Sequence, residues 1–74
     1  MQSDKPMMIE VCGGIVYAAG VPIYTYADGI LVDASGERTL LLRGDGKPLG
    51  PLELAIAVAA REGYGDYRAT MLGW

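Results

Sequence analysis

Val21-Pro22-Ile23-Tyr24-Thr25-Tyr26-Ala27-Asp28-Gly29-Ile30-Leu31-Val32-Asp33 is the stretch that decides the fold. Two runs rich in β-branched and aromatic residues flank Asp28-Gly29. Asp-Gly between such runs is a strong short hairpin signal, because a type I′ turn needs positive φ at both central positions. The pattern recurs on both sides: Ala19-Gly20 precedes it, Ser35-Gly36 follows it, and Gly44-Asp45-Gly46 closes the series. The spacing predicts a four-stranded antiparallel β-meander with strands over 8–18, 21–27, 30–34 and 37–43.

Pro48-Leu49-Gly50-Pro51 then leads into Leu52–Glu62, a run without a helix breaker, and Gly63 follows it. Proline at a first helical position and glycine just past the last one bracket a helix. Glu53 in its first turn and Arg61 in its last complement the macrodipole, each by about 0.3–1 kcal/mol when exposed. The expected class is therefore α+β, a meander with one helix packed on one face. The C-terminal tail, 64–74, holds Tyr64, Tyr67, Met71, Leu72 and Trp74 among glycines and polar residues, and is either a short strand or an irregular cover. Residues 1–6 are polar, include Pro6 and read as a flexible N-terminus. No repeat or linker divides the chain, so 1–74 is expected to be a single domain.

Composition narrows the function. With 74 residues, of which 51% are hydrophobic and 20% charged, the chain has the balance of a folding domain, although one of this size buries only about 60% of its unfolded surface. The net charge is −3 and no block of Lys or Arg occurs, so the phosphate-neutralising term that dominates nucleic-acid affinity is missing. Cys12 is the sole cysteine, which excludes an intramolecular disulfide and a cysteine-rich zinc site and fits a reducing compartment. Without a signal-like apolar segment or an apolar run of about 20 residues, the expected location is the cytoplasm, neither secreted nor membrane-spanning.

No reaction signature stands out. The chain has no histidine, so Ser-His and Cys-His nucleophilic pairs are excluded, and histidine metal sites with them. Cys12 on a strand reads as a packing residue, and Asp28 and Asp45 occupy turns, where aspartate binds its own backbone. Gly44-Asp45-Gly46-Lys47 lacks the spacing of a phosphate-binding loop, and Pro48 stands where a hydroxyl residue would be needed. Arg43-Gly44-Asp45 spells an adhesion tripeptide, too short a match in a glycine-rich turn to carry weight, and the carboxylates lack the spacing of a calcium loop. Neither an enzyme nor a bound cofactor or metal is expected.

Two-residue turns would set Val16 opposite Ile23, Ile15 opposite Tyr24, Tyr26 opposite Leu31, Val32 opposite Thr39 and Asp33 opposite Arg38. One face then carries Val16, Val21, Ile23, Ile30, Val32 and Leu41 as the seat of the helix. The other carries Ile15, Tyr17, Tyr24, Tyr26, Leu31, Leu40 and Leu42, with the Asp33/Arg38 pair marking it as wet. Tyrosines on an outward face favour contact with another molecule, so Tyr17, Tyr24, Tyr26, Leu31, Asp33, Arg38 and Leu40 are the expected partner-binding residues. The competing arrangement folds the tail over them.

On the helix, Leu52 and Ile56 lie opposite Leu54 and Val58, and the first pair is expected in the core with Val16, Ile23, Val32 and Leu41. An apolar second side needs the tail or another molecule. The reading that follows is a small acidic module whose partner is another protein, with no nucleic-acid or membrane partner. In size, acidity and lack of catalytic groups it resembles in type, though in no motif, the small inhibitor proteins of phages and other mobile elements, anti-CRISPR proteins among them. The alternative is a self-associating structural or regulatory subunit, with a homodimer as its simplest form.

Overall fold

A computed structural model describes residues 6–72. It is an α+β fold in which six strands form one sheet and a single helix packs against it. The strands are β1 (Met7–Cys12), β2 (Ile15–Ala18), β3 (Val21–Ala27), β4 (Ile30–Asp33), β5 (Arg38–Leu40) and, after helix α1 (Pro51–Glu62), β6 (Tyr67–Met71). They stand in the order β5-β4-β3-β2-β1-β6. The four pairings from β1 to β5 are antiparallel, whereas β6 runs parallel to β1. The sheet thus has two more strands than the meander expected from the sequence.

One extra strand comes from Gly13-Gly14, which splits the expected 8–18 strand into a hairpin with Cys12 opposite Ile15. Both glycines have positive φ, +57° and +80°, the conformation a two-residue type I′ turn demands. A Cβ on Gly14 would stand 2.9 Å from the Tyr26 carbonyl oxygen. The other extra strand comes from the tail, whose residues 67–71 form the short strand that was one of its two expected forms, β6, beside β1 and against α1. Tyr64 and Tyr67 are partly buried against the core. The expectations for residues 1–5 and for Trp74 fall outside the described residues.

The sequence reading of α1 stands within one residue. Pro51 opens it, and Gly63, at φ +77°, closes it with its N–H donated to the Ala59 and Ala60 carbonyls. Glu53 reaches back to accept the Gly50 N–H at 2.9 Å, satisfying one of the amides a helix start leaves unpaired.

Register departs from expectation at two places, within β3 and at the turn between β4 and β5. Near the Ala19-Gly20 turn, Ala18 opposes Val21 and Tyr17 opposes Pro22, as two-residue counting requires; beyond it Val16 opposes Tyr24 and Ile15 opposes Thr25. Ile23 is therefore a β-bulge. One extra residue in a strand of side-chain period two moves every later side chain to the other face. Tyr24 and Tyr26 consequently point toward the helix, and Leu31, opposite Tyr26 as expected, goes with them. The pairing of Asp33 with Arg38 is also corrected: Arg38 opposes Val32, because Ala34-Ser35-Gly36 forms a three-residue turn closed by the Asp33 N–H to the Glu37 carbonyl at 3.1 Å.

The core lies between sheet and helix: Ile9, Val11, Val16, Tyr24, Tyr26 and Leu31 meet Leu54, Ala55, Val58 and Ala59. Ile23 and Leu41 pack at its margin as expected. Val32 does not, lying half-buried on the opposite face, while Leu52 and Ile56 are 58% and 49% exposed. The helix buries the Leu54/Val58 side because those residues, with Ala55 and Ala59, make a contiguous stripe whose small members let the backbone approach the sheet.

Candidate functional site

With Tyr24 and Tyr26 turned inward, the outward face of the sheet is set by the residues left on its other side. Strand alternation places Met8, Glu10 and Cys12 of β1, Ile15 and Tyr17 of β2, Thr25 and Ala27 of β3, Ile30 and Val32 of β4, Arg38 and Leu40 of β5, and Arg68 and Thr70 of β6 on that face. Cross-strand pairing aligns Arg38, Val32, Thr25, Ile15 and Cys12 into one row from edge strand β5 across to β1, with Leu40, Ile30 and Ala27 beside it. Ile15, Tyr17, Ile30 and Val32 are half-buried, and Leu40 is 66% exposed. Glu10, Cys12, Tyr17, Gly20 and Leu72 border a shallow hollow of about 300 Å³ on this side.

The residues expected to bind a partner are thereby divided. Tyr17, Arg38 and Leu40 lie on the open face. Tyr24 and Tyr26, only 8% and 5% exposed, and Leu31, fully buried, lie in the core, so the expectation that these three face outward is corrected by the Ile23 bulge. Asp33 pairs with Tyr24 and spends its carboxylate on its own turn, accepting from the Ser35 hydroxyl at 2.6 Å, the Ser35 N–H at 2.9 Å and the Glu37 N–H at 3.0 Å. Those donors hold its carboxyl below the ordinary carboxylate value. The sequence reading gives Ile30 and Val32 to the helix face and Ile15 no contact role, although their alternation with Val16 and Leu31 is visible in the sequence.

The two inward tyrosines act as anchors. The Tyr26 hydroxyl donates to the Leu41 carbonyl at 2.6 Å and accepts the Leu49 N–H at 2.9 Å, pinning both ends of the 41–49 connection on the helix side of the sheet. The Tyr24 hydroxyl donates to Glu62 at 2.5 Å and accepts from Arg61 Nε at 3.2 Å. Burial first, and then the Glu62 carboxylate, push the Tyr24 phenol above its ordinary value. Arg61 also lies 5.9 Å from the Tyr24 ring centre and donates to Thr39 Oγ1 at 3.3 Å, so the end of α1 is tied to β3 and β5 together.

No family model, curated protein or solved structure matches this chain. The site must therefore be read from its own geometry. Among the described residues no three His, Cys, Asp or Glu side chains converge as metal ligands, and no helix is long and apolar enough to cross a membrane. What the arrangement offers is a contact surface: a sheet covered by its helix on one face and bearing Ile15, Ile30, Val32, Leu40 and Tyr17 among polar residues on the other.

Proposed function

We propose that this chain is a protein-binding module that engages its partner through the open face of the sheet. The observation that supports the reading is the one-sided cover of the sheet among the described residues: α1 and the 41–49 connection both lie over the Tyr26 side, leaving Ile15, Tyr17, Ile30, Val32 and Leu40 on the other. An antiparallel sheet facing water normally alternates to polar residues on its wet side. Five apolar or aromatic side chains in adjacent rows there suit contact with another protein, in which Tyr17 would supply area and a polar tip at low entropic cost. Small size and acidity fit a module that works by occupying a surface, as the phage-type inhibitors do.

The test is affinity capture from the native host with three baits: wild type, Ile15→Thr/Val32→Thr on the open face, and Lys47→Ser in the loop as control. Threonine keeps the β-branch these strands prefer. A protein held by wild type and the loop variant but released by the face variant supports the reading. Equal retention by all three refutes it.

A further inference from the structure

β6 is the outermost strand on its side of the sheet, and half of its backbone faces away. The Asp66 carbonyl accepts the Met7 N–H at 3.1 Å and the Leu72 N–H donates to the Val11 carbonyl at 2.9 Å. By the alternation of a parallel ladder, the N–H and C=O groups of Arg68 and Thr70 also point to β1, while those of Tyr67, Ala69 and Met71 point outward. Such an edge is a template for another strand, and proteins normally blunt it with proline, a bulge or several charges. β6 has neither proline nor bulge, and one charge, Arg68.

A second feature lies over the same edge. Helix α1 packs on β1 and β6, and Arg61 reaches from it toward Thr39 on β5. Leu52 is nine residues from Arg61, about two and a half turns, hence on the opposite flank, and Ile56 is within about 40° of Leu52. Among the described residues no strand pairs with the outer side of β6, and the exposed Leu52/Ile56 flank lies on the side of the helix away from β5, toward that edge.

We propose that this edge is occupied by a second copy of the chain, joined β6 to β6 antiparallel about a two-fold axis midway between the two Ala69 residues. In that register Ala69 opposes Ala69 of the second copy, Tyr67 opposes its Met71 and Arg68 opposes its Thr70. All three outward N–H and all three outward C=O groups of each strand then find partners. Sliding the strands so that Tyr67 meets Ala69 sets the two Arg68 side chains face to face.

Helix spacing agrees with the same geometry. A helix centred over the β1–β6 pair lies about one strand spacing, ~4.8 Å, from the axis. The two helices then run about 10 Å apart, the separation of packed helices. Leu52 and Ile56 of each copy meet across the axis in an isologous contact. The open face of the sheet stays uncovered, so the dimer stands whether or not that face binds a partner.

The experiment is sedimentation equilibrium with amide hydrogen exchange, on wild type, Ala69→Pro and Leu52→Lys/Ile56→Lys. Proline at Ala69 removes an N–H that points out of the sheet, which an edge strand tolerates, and the helix pair tests the interface without touching the strand. Wild type should sediment as a dimer of the 7.8 kDa chain. The Tyr67, Ala69 and Met71 amides should be protected at high concentration and exchange freely on dilution, with Arg68 and Thr70 protected throughout. Each variant should raise the dimer dissociation constant tenfold or more with an unchanged circular dichroism spectrum. A wild type that stays monomeric at several hundred micromolar, or a dimer that survives the helix variant, overturns the proposal.

Discussion

Tyr26→Phe removes one oxygen and tests the inward turn of β3 directly. That oxygen serves the Leu41 carbonyl at 2.6 Å and the Leu49 N–H at 2.9 Å, and the ring around it is 5% exposed. Each hydrogen bond contributes about 1 kcal/mol net, and a backbone group left unsatisfied where water is scarce costs about 1–3 kcal/mol. Two such losses sum to about 2–3 kcal/mol, a large share of the ~4–11 kcal/mol expected for a chain of this length. At about 4–8 °C per kcal/mol for a domain this size, the melting temperature should fall by at least ~8 °C. Urea unfolding followed by circular dichroism supplies the free energy. Tyr17→Phe, on the open face, is the control and should change stability by less than about 0.5 kcal/mol. A Tyr26→Phe loss as small as that of the control would refute the account of Tyr26 as the clasp of the 41–49 connection.

Leu54→Ala should cost about 2–5 kcal/mol, because Leu54 is fully buried and its loss leaves a cavity; chemical denaturation measures it. Gly14→Ala should destabilise more than Gly13→Ala, since both positions have positive φ but only Gly14 has a carbonyl oxygen 2.9 Å from the new Cβ; paired thermal melts compare them. The Tyr24 phenol should ionise above 10.0, its ordinary value, in a phenolate-absorbance titration. Its folded value is raised, so its contribution to stability is complete below about pH 10 and disappears as pH rises through that folded value. Asp33 and Asp45 behave in the opposite sense. Their folded values lie below 3.8, so their contribution is complete well above pH 3.8 and is lost as pH falls through the folded values, and acid unfolding of Asp33→Asn should start from a lower plateau.

Local chemistry made part of this fold legible. Asp28-Gly29, Ala19-Gly20 and the Pro51…Gly63 bracket each carry their conformation in residues adjacent in sequence, and each forms where expected. Gly13-Gly14 carries the same kind of signal, but the apolar residues on both sides made one long strand an equally good reading. Ile23 was harder. In Val21-Pro22-Ile23-Tyr24 no alternation of polar and apolar residues marks the bulge, and the choice is made by which tyrosine pair can reach partners under the helix: Glu62 and Arg61 for Tyr24, Leu41 and Leu49 for Tyr26. Those partners lie 15 to 38 residues away. The same displacement moved Tyr24, Tyr26 and Leu31 out of the candidate site and left Tyr17, Arg38 and Leu40 in it. The pairing of β6 with β1 was beyond local reading, since the strands meet across about sixty residues of chain.

That distant pairing also imposes an order of assembly. Every join from β1 to β5 closes a short loop between neighbours in sequence and can form early, whereas Met7–Cys12 meeting Tyr67–Met71 directly would close nearly the whole chain, a slow and entropically costly step. Once α1 has docked on β1 through Leu54 and Val58, only the few residues from Gly63 to Asp66 separate the docked chain from β6. The helix thus ferries the last strand to its place. Until it does, β1 is itself the margin of a five-stranded sheet, and a substitution that slows docking of α1 would lengthen the time during which Ile9 and Val11 lie beside an unpaired edge.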